Sequence, residues 1–281
     1  MSISVIAEIG INYAYGDSKD KFLDNAKRLI DIAAVAGCTH VKFQKRYPDI
    51  CVPENQKDKL KTVPWKEDSI TYLEYKKDIE FSFVEMKYLF DYAKTKGVIP
   101  FASVWDKVSA GQMAEITDIV KIPSASLTDW ELLEYCSDKF EHKLISTGMS
   151  TEDEIVQAIE TFNPTVIFHT NSTYPTPIND LNLGYIEYLK NHYPDKEIGY
   201  SNHYYGIIPM IATVALGIDW IEFHLTENHE LWGSDQSASI EPNGAFKLVK
   251  GIRDLEKALA KGNCPRGVYP GEESKRESLR R

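Results

Sequence analysis

The sequence predicts a single (β/α)8 barrel, an α/β fold of the TIM-barrel type. Short apolar runs rich in β-branched residues recur along the chain, amphipathic helical stretches separate them, and no linker or break in composition divides them. With 281 residues, of which 43% are hydrophobic and 26% charged, the chain has the size and balance of one large globular domain. We therefore expect a barrel over residues 1–262 and a polar C-terminal tail over residues 263–281.

The predicted strands and helices alternate in order along the chain. The strands are expected at Ser4–Ile9, Thr39–Phe43, Ile99–Val104, Ile119–Ile122, Lys143–Ser146, Thr165–His169, Glu197–Tyr200 and Trp220–His224. The helices are expected at Lys21–Ala36, Phe83–Thr95, Ser109–Glu115, Asp129–Cys136, Thr151–Thr161, Asp180–His192, Gly206–Leu216 and Gly244–Ala260. A doubly wound open sheet would show the same alternation, but no GxGxxG or P-loop pattern supports it. The stretch 45–78, which is rich in charged and aromatic residues, interrupts the alternation of strands and helices. We expect it to form an extended loop on the rim of the barrel.

The net charge limits which binding partners are expected, and the cysteines indicate the cellular compartment. The net charge of −10 argues against a nucleic acid or an anionic membrane surface, because both bind a basic face. An anionic substrate would therefore need a local cluster of cations. We expect no secretory signal, because the sequence runs from Met1 directly into an apolar strand pattern, and no apolar run approaches the roughly 20 residues of a membrane helix. The cysteines Cys38, Cys51, Cys136 and Cys264 form no CxxC pair, which favours reduced thiols in the cytoplasm.

Each predicted strand ends in polar residues, and the C-terminal ends of the strands carry the active site in barrels of this kind. Lys42 and Lys121 follow apolar runs, where an unpaired ammonium group would be costly to desolvate. Either lysine alone could instead extend into solvent. Both together indicate an anion site, since lysine suits phosphate as a point charge and hydroxyl groups add donors. The accompanying strand-end serines are Ser103, Ser124, Ser146 and Ser201.

His203 and His224 end two successive strands, so that both imidazole groups could reach one divalent ion. Water and substrate would complete such a shell, which is typical of a catalytic metal. Two ordinary rim histidines are the alternative, because a pair of histidines alone is a weak metal signature. Asp235 follows the last strand and could bind sugar hydroxyl groups or form an Asx turn.

Two other functions are compatible with these residues. A Schiff-base aldolase would use Lys121 as its nucleophile, with Glu8 nearby. Lys42 argues against this function because it suits anion binding, and a metal pair has no task in a Schiff-base enzyme. A catalytically idle barrel, kept for sugar binding or scaffolding, has no need of the lysines and histidines that this chain retains.

Segments along nearly the whole chain resemble the sialic acid synthase family, which is related to the deoxy-octulosonate and deoxy-heptulosonate phosphate synthases. The segments are AEIGIN at 7–12, VKFQ at 41–44, VKIPSASLTD at 120–129, STGMST at 146–151, HTNSTYPTP at 169–177, IGYSNH at 198–203, IEFHLT at 221–226 and GSDQSASIEP at 233–242. The tail RGVYPGEESKRESLRR also resembles the segment that follows the barrel in that family. Eight motifs in register make chance similarity negligible.

The resemblance implies a transferase of the 2.5.1 class. Such an enzyme condenses phosphoenolpyruvate with the open-chain aldehyde of a hexosamine-type sugar such as N-acetylmannosamine, and the products are a 3-deoxy-2-keto sugar acid and phosphate. It implies Mn²⁺, with Mg²⁺ or Co²⁺ as alternatives, bound by His203 and His224, and it places Glu8 close to the reacting carbons. The implied phosphoenolpyruvate contacts are Lys42, Ser103, Lys121, Ser124, Ser146, Ser172 and Ser201. The implied sugar contacts are Gln44, Tyr174 and Asp235.

The chain departs from the family pattern at three points. Tyr13 stands where the family often has histidine, and Ser126 stands where it usually has glutamate, which leaves the identity of the sugar open. From the resemblance we also expect this chain to lack the small antifreeze-like domain that usually follows the barrel in the family and supplies an arginine to the other subunit's site. We therefore expect a homodimer in which the loop 45–78 or the basic tail shields the site, unless the tail is a frayed terminus. The basic residues of the tail are Lys275, Arg276, Arg280 and Arg281.

Overall fold

A computed structural model describes residues 2–260 and 265–280, and eight parallel strands in these residues form a closed barrel. The strands are β1 (Ser4–Gly10), β2 (His40–Lys45), β3 (Ile99–Val104), β4 (Ile119–Ile122), β5 (His142–Ser146), β6 (Val166–Thr170), β7 (Glu197–Asn202) and β8 (Trp220–His224). Neighbouring strands follow the chain order, and β1 closes the barrel by pairing with both β2 and β8. The predicted fold class is confirmed, and every strand lies within two residues of its predicted bounds.

The main helices lie between the strands and cover the outside of the barrel. They are α1 (Phe22–Ala36), α2 (Phe83–Thr95), α3 (Lys107–Ala114), α4 (Trp130–Ser137), α5 (Glu152–Phe162), α6 (Tyr185–His192), α7 (Ile208–Thr213) and α8 (Pro242–Leu259). Gly37 ends α1 with a φ of 87°, as a C-terminal glycine commonly does. The prediction for α6 begins too early, because Ile178–Asp180 forms a separate 3-10 turn and Asn182 has a φ of 44°. The predicted α7 is also too long, since Val214–Leu216 is a 3-10 turn.

The prediction of an extended loop over residues 45–78, here called the rim insertion, is wrong. The rim insertion contains the short helices Pro48–Cys51 and Tyr72–Asp78 and an antiparallel ribbon of Leu60–Lys61 with Ile70–Thr71. Its aromatic residues Trp65 and Tyr75 are buried, and both rings contact Trp232, which follows β8. Burial of these large apolar surfaces offsets the entropy that is lost when the segment is ordered.

The lower part of the barrel interior is filled by a cluster of apolar side chains, here called the apolar layer. It consists of Ile6, Phe101, Ile119, Leu144, Val166 and Phe168. Because every second residue of a strand points inward, the next inward positions belong to the polar residues at the strand ends. Gly199 is required in this interior, since a Cβ atom there would lie 2.5 Å from the ring of Phe168. The apolar layer therefore supports a polar layer above it.

The C-terminal segment 265–280 lies on the surface, and it contains one short helix, Glu273–Leu279. Residues 261–264, including Cys264, and Arg281 lie outside the described residues. Cys38, Cys51 and Cys136 are free thiols. Over residues 2–260 and 265–280, no helix has both the length and the apolar character that a membrane span needs.

Candidate active site

A cavity of about 190 Å³ opens at the C-terminal ends of the barrel strands. Of the thirteen candidate site residues from the sequence, twelve line this cavity. The remaining residue, Asp235, has a carboxylate oxygen 3.8 Å from Nδ1 of the cavity residue His224. Closure of the barrel brings these side chains together, because the C-terminal ends of parallel strands meet at one rim.

Four buried charged residues form the floor of the cavity, and we call Glu8, Lys42, Lys121 and Glu222 the charged layer. Lys121 Nζ donates a hydrogen bond to Glu222 Oε1 at 2.8 Å, and the Ser201 hydroxyl donates to the same oxygen at 3.0 Å. Lys42 Nζ lies 2.7 Å from Glu8 Oε2 and 3.8 Å from Glu222 Oε1. Lys42 and Glu8 thus form a buried ion pair, although no group in the described residues meets hydrogen-bond geometry at Glu8 Oε2. The two lysines are thus held between two carboxylates.

The charges of this layer perturb one another strongly. Burial acts to raise the pKa of Glu222, but the ammonium groups of Lys121 and Lys42 outweigh it and lower the pKa to about 2. Burial lowers the pKa of Lys121 to about 8, although the negative charge of Glu222 favours the protonated ammonium group and acts to raise the pKa. Both members of the Lys121–Glu222 pair are therefore charged at neutral pH. The sequence analysis expected a cluster of cations, whereas the layer holds two positive and two negative groups.

Glu222 is the site residue that sequence reasoning missed. It stands two residues before His224 on β8, so both side chains point into the barrel. A charged residue in the middle of an otherwise apolar strand was the available signal. Its importance follows only from its contacts with Lys121 and Lys42.

The two histidines converge on one point above the charged layer. His203 Nδ1 lies 2.6 Å from the carbonyl oxygen of Asn171, and from this contact we assign a proton to Nδ1 and a lone pair to Nε2. The Tyr174 hydroxyl lies 2.6 Å from His203 Nε2 and 3.3 Å from His224 Nε2. Burial, and then repulsion by His224, lower the pKa of His203 to about 3, so its imidazole is neutral. Within the described residues, Nδ1 of His224 is buried without a hydrogen-bond partner, and a carboxylate oxygen of Asp235 lies 3.8 Å from it.

These imidazole groups fit a divalent metal as neutral nitrogen ligands. Both Nε2 atoms face the Tyr174 hydroxyl, and the Asn171 carbonyl fixes His203 in the required tautomer. In the described parts of the chain, no group of three or more His, Cys, Asp or Glu side chains is arranged to hold a metal. A metal on this pair would therefore take further ligands from water, from substrate or from the Tyr174 hydroxyl. Tyr174 is 46% exposed.

Gly148 explains how two of the predicted serines reach the cavity. A Cβ atom at this position would lie 2.3 Å from the Ser172 hydroxyl oxygen and 2.8 Å from that of Ser124. Both hydroxyl groups, together with those of Ser103 and Ser146, line the cavity that contains Lys121. The glycine therefore leaves room for a group of hydroxyl donors beside the charged layer.

The two residues that depart from the family pattern lie outside this cavity lining. Tyr13 is buried, its hydroxyl donates to the carbonyl oxygen of Ile79, and its ring stacks on Phe81 at 4.3 Å. Tyr13 therefore connects the end of β1 to the chain that follows the rim insertion. Ser126 is buried in a 3-10 turn after β4.

Comparison with known proteins identifies the family. A model described as the NeuB family matches residues 29–264. The N-acetylneuraminate-9-phosphate synthase of Homo sapiens is 34% identical over 281 residues, covering 98% of this chain and 76% of that protein. The N,N'-diacetyllegionaminic acid synthase of Campylobacter jejuni is 31% identical over 269 residues, covering 92% of this chain and 78% of that protein. The crystal structure of the N-acetylneuraminic acid synthetase of Leptospira borgpetersenii in complex with citrate has a TM-score of 0.83 at 30% identity, covering 100% of this chain and 93% of that one. This chain belongs to the NeuB family.

Proposed function

We propose that this protein condenses phosphoenolpyruvate with the aldehyde of a six-carbon amino sugar to form a nine-carbon 3-deoxy-2-keto acid. The observation that carries the proposal is the convergence of two buried lysines, several serine hydroxyl groups and two histidines on one cavity. Phosphoenolpyruvate carries a phosphate and a carboxylate, and this set of cations and donors suits both groups. The names of the relatives, which are synthases of N-acetylneuraminate-9-phosphate and N,N'-diacetyllegionaminic acid, support the same class of reaction.

The proposed reaction forms one carbon–carbon bond and breaks one carbon–oxygen bond. C3 of phosphoenolpyruvate attacks the aldehyde carbon, and the aldehyde oxygen takes up a proton to become a hydroxyl group. Water then adds to C2 and loses a proton. The bond between C2 and the phosphate oxygen then breaks, and the new C2 hydroxyl group gives its proton to the departing phosphate, which leaves a ketone at C2 and releases inorganic phosphate.

The residues of this chain would bind the reactants and move protons. Lys42 and Lys121 would hold the two anionic groups of phosphoenolpyruvate, which fixes C3 beside the aldehyde. Glu8 would transfer a proton to the aldehyde oxygen or from the attacking water, because its carboxylate lies in the cavity next to Lys42 and Gln44. Gln44, Tyr174 and Asp235 would contact the sugar.

We also propose that His203 and His224 hold a divalent metal, with Mn²⁺ as the first choice and Mg²⁺ or Co²⁺ as alternatives. When bound, such a metal acts as a Lewis acid toward the aldehyde oxygen. The Asn171 carbonyl and Asp235 would orient the imidazole groups.

Phosphate release tests this proposal. The purified protein would be incubated with Mn²⁺, phosphoenolpyruvate and a panel of free and phosphorylated hexosamines, and the products would be identified by mass spectrometry. We expect phosphate release that depends on the sugar, together with a product that contains three additional carbons. Absence of turnover with every sugar would instead favour the idle sugar-binding barrel.

A Schiff-base aldolase is the second candidate, and one observation favours it: the pKa of Lys121 is lowered to about 8 by burial. The hydrogen bond between Lys121 and Glu222 argues against it, because this pairing keeps the nitrogen protonated and non-nucleophilic. Borohydride reduction in the presence of pyruvate separates the two functions. A covalent adduct on Lys121 would support the aldolase, and the condensation proposal expects none.

A further inference from the structure

The rim insertion carries a buried lysine that the charged layer and the histidines do not use. Lys76 is only 9% exposed. Its ammonium nitrogen lies 5.4 Å from the ring centre of Tyr72 and 5.2 Å from that of Tyr75. Among residues 2–260 and 265–280, it has no hydrogen-bonded or ion-paired partner. Because an ammonium group is costly to bury without a counter-ion, this position is suited to an anionic ligand.

Other cations surround Lys76. Lys61 Nζ lies 4.8 Å from the centre of the same Tyr75 ring and 5.4 Å from that of Trp232. Burial, and then repulsion by the Arg46 guanidinium, lower the pKa of Lys76 to about 8, although Asp235 and Glu80 act in the opposite direction. A bound anion would relieve this repulsion.

The carboxylates near these cations do not neutralise them. Glu80 is shared, with Arg46 Nε at 3.1 Å and Lys45 Nζ at 3.7 Å. Asp235 lies beside His224. Lys61 and Lys76 therefore leave an excess of positive charge at this part of the rim, although the whole chain has a net charge of −10.

One of these cations, Arg46, is connected to the cavity by direct contacts. The Arg46 guanidinium donates to the side-chain oxygen of Gln44 and lies 4.5 Å from the Trp105 ring, and both Gln44 and Trp105 line the cavity. The indole nitrogen of Trp105 is buried and has no hydrogen-bond partner within the described residues. Gln44 is a proposed sugar contact, so Arg46, whose charge acts on Lys76, lies beside the part of the cavity where the sugar would bind.

We propose that Lys76, with Arg46 and Lys61, binds a phosphate group on the acceptor sugar, so that the acceptor is a hexosamine 6-phosphate. This inference rests on the proposed condensation. Phosphoenolpyruvate contributes C1 to C3 of a nine-carbon product, so C9 of the product is C6 of the sugar, the carbon farthest from the aldehyde. The product would carry its phosphate at C9, and the Homo sapiens relative is named for a 9-phosphate product.

Kinetics with two matched acceptors test this proposal. We would measure kcat/KM for N-acetylmannosamine 6-phosphate and for N-acetylmannosamine in the wild type, Lys76→Met and Lys77→Met. Lys77 is a matched control, because it lies on the same short helix, its side chain is 47% exposed, and it pairs with Asp49. The wild type should prefer the phosphorylated sugar. Lys76→Met should reduce this preference about 10- to 100-fold, the range for loss of a charged hydrogen bond, and Lys77→Met should preserve it.

The outcomes separate this inference from the condensation itself. Turnover of the free sugar without any preference for the 6-phosphate overturns the phosphate site and leaves the condensation intact. If neither sugar is a substrate, the full panel of hexosamines decides the condensation. Calorimetry of the sugar phosphate then decides the site, because equal affinities of the wild type and Lys76→Met overturn it. Should Lys76→Met not fold, the preference of the wild type between the two sugars decides.

Discussion

The apolar layer and the charged layer fill the same barrel, and they differ by one step of the strand alternation. β1 contributes Ile6 to the apolar layer and Glu8 to the charged layer, and β4 contributes Ile119 and Lys121 in the same way. Apolar side chains require only that their volumes fit, whereas each buried charge requires a partner in a defined position. Glu222, for example, receives hydrogen bonds from both Lys121 and Ser201. We therefore expect stability to depend mainly on the apolar layer, and the proposed binding and catalysis to depend on the charged layer and the histidines above it.

The largest expected effect concerns the histidines above the charged layer. Removing the metal should abolish turnover, and Mn²⁺ should restore it, because the pair His203 and His224 is proposed to hold the ion. His203→Ala should lower kcat far more than it lowers the affinity for phosphoenolpyruvate. Turnover and metal content would be measured together during chelation. Full activity in protein shown to be free of metal would remove this assignment.

Truncation in the apolar layer should reduce stability. Leu144→Ala removes a fully buried side chain and should cost about 2–5 kcal/mol in the free energy of unfolding. The kcat/KM of the folded protein should change little, because Leu144 does not line the cavity. Urea unfolding and steady-state kinetics would measure both quantities. Leu60→Ala is the control, since Leu60 is 76% exposed. Equal losses of stability in the two variants would contradict the role of the apolar layer.

Substitution in the charged layer should mainly affect catalysis. Lys121→Ala should weaken phosphoenolpyruvate binding and cost at least about 2 kcal/mol of transition-state stabilisation, measured from kcat/KM. The exposed Lys139 provides a control of the same type, Lys139→Ala. An unchanged kcat/KM in Lys121→Ala would show that this layer is structural.

The smallest expected effect concerns Lys76, a buried charge that has no ion-paired partner in the described parts of the chain. The pKa of Lys76 is lowered from 10.5 to about 8, so the folded state binds this proton less tightly than the unfolded state does. The resulting loss of stability is fully present below pH 8 and is relieved as the pH rises toward 10.5. Relative to Lys76→Met, the wild type should therefore gain up to about 3 kcal/mol between these limits. Unfolding free energies across this range would test it. Lys77→Met is the control and should show the same rise of the unfolding free energy with pH as the wild type. If neither protein shows this rise, burial of the Lys76 charge does not destabilise the fold.

The strands could be predicted accurately because their signals are local. Runs such as Ile119–Ile122 contain alternating side chains and end at turn residues, and neither feature depends on distant contacts. The rim insertion could not be predicted in this way. Its order depends on the packing of Trp65 and Tyr75 against Trp232. Trp232 follows β8 and is therefore distant from the rim insertion along the chain.

By itself, the sequence determined which side chains stand at the strand ends, because strand alternation and the placement of polar residues are local properties. It thereby identified the residues of one cavity, including both lysines and both histidines. Only the tertiary structure decided how they are paired. Closure of the barrel places Lys121 of β4 against Glu222 of β8, although 101 residues separate them. It also places Tyr174 between His203 and His224. These contacts depend on the distance between strands across the barrel, which no local pattern in the sequence records.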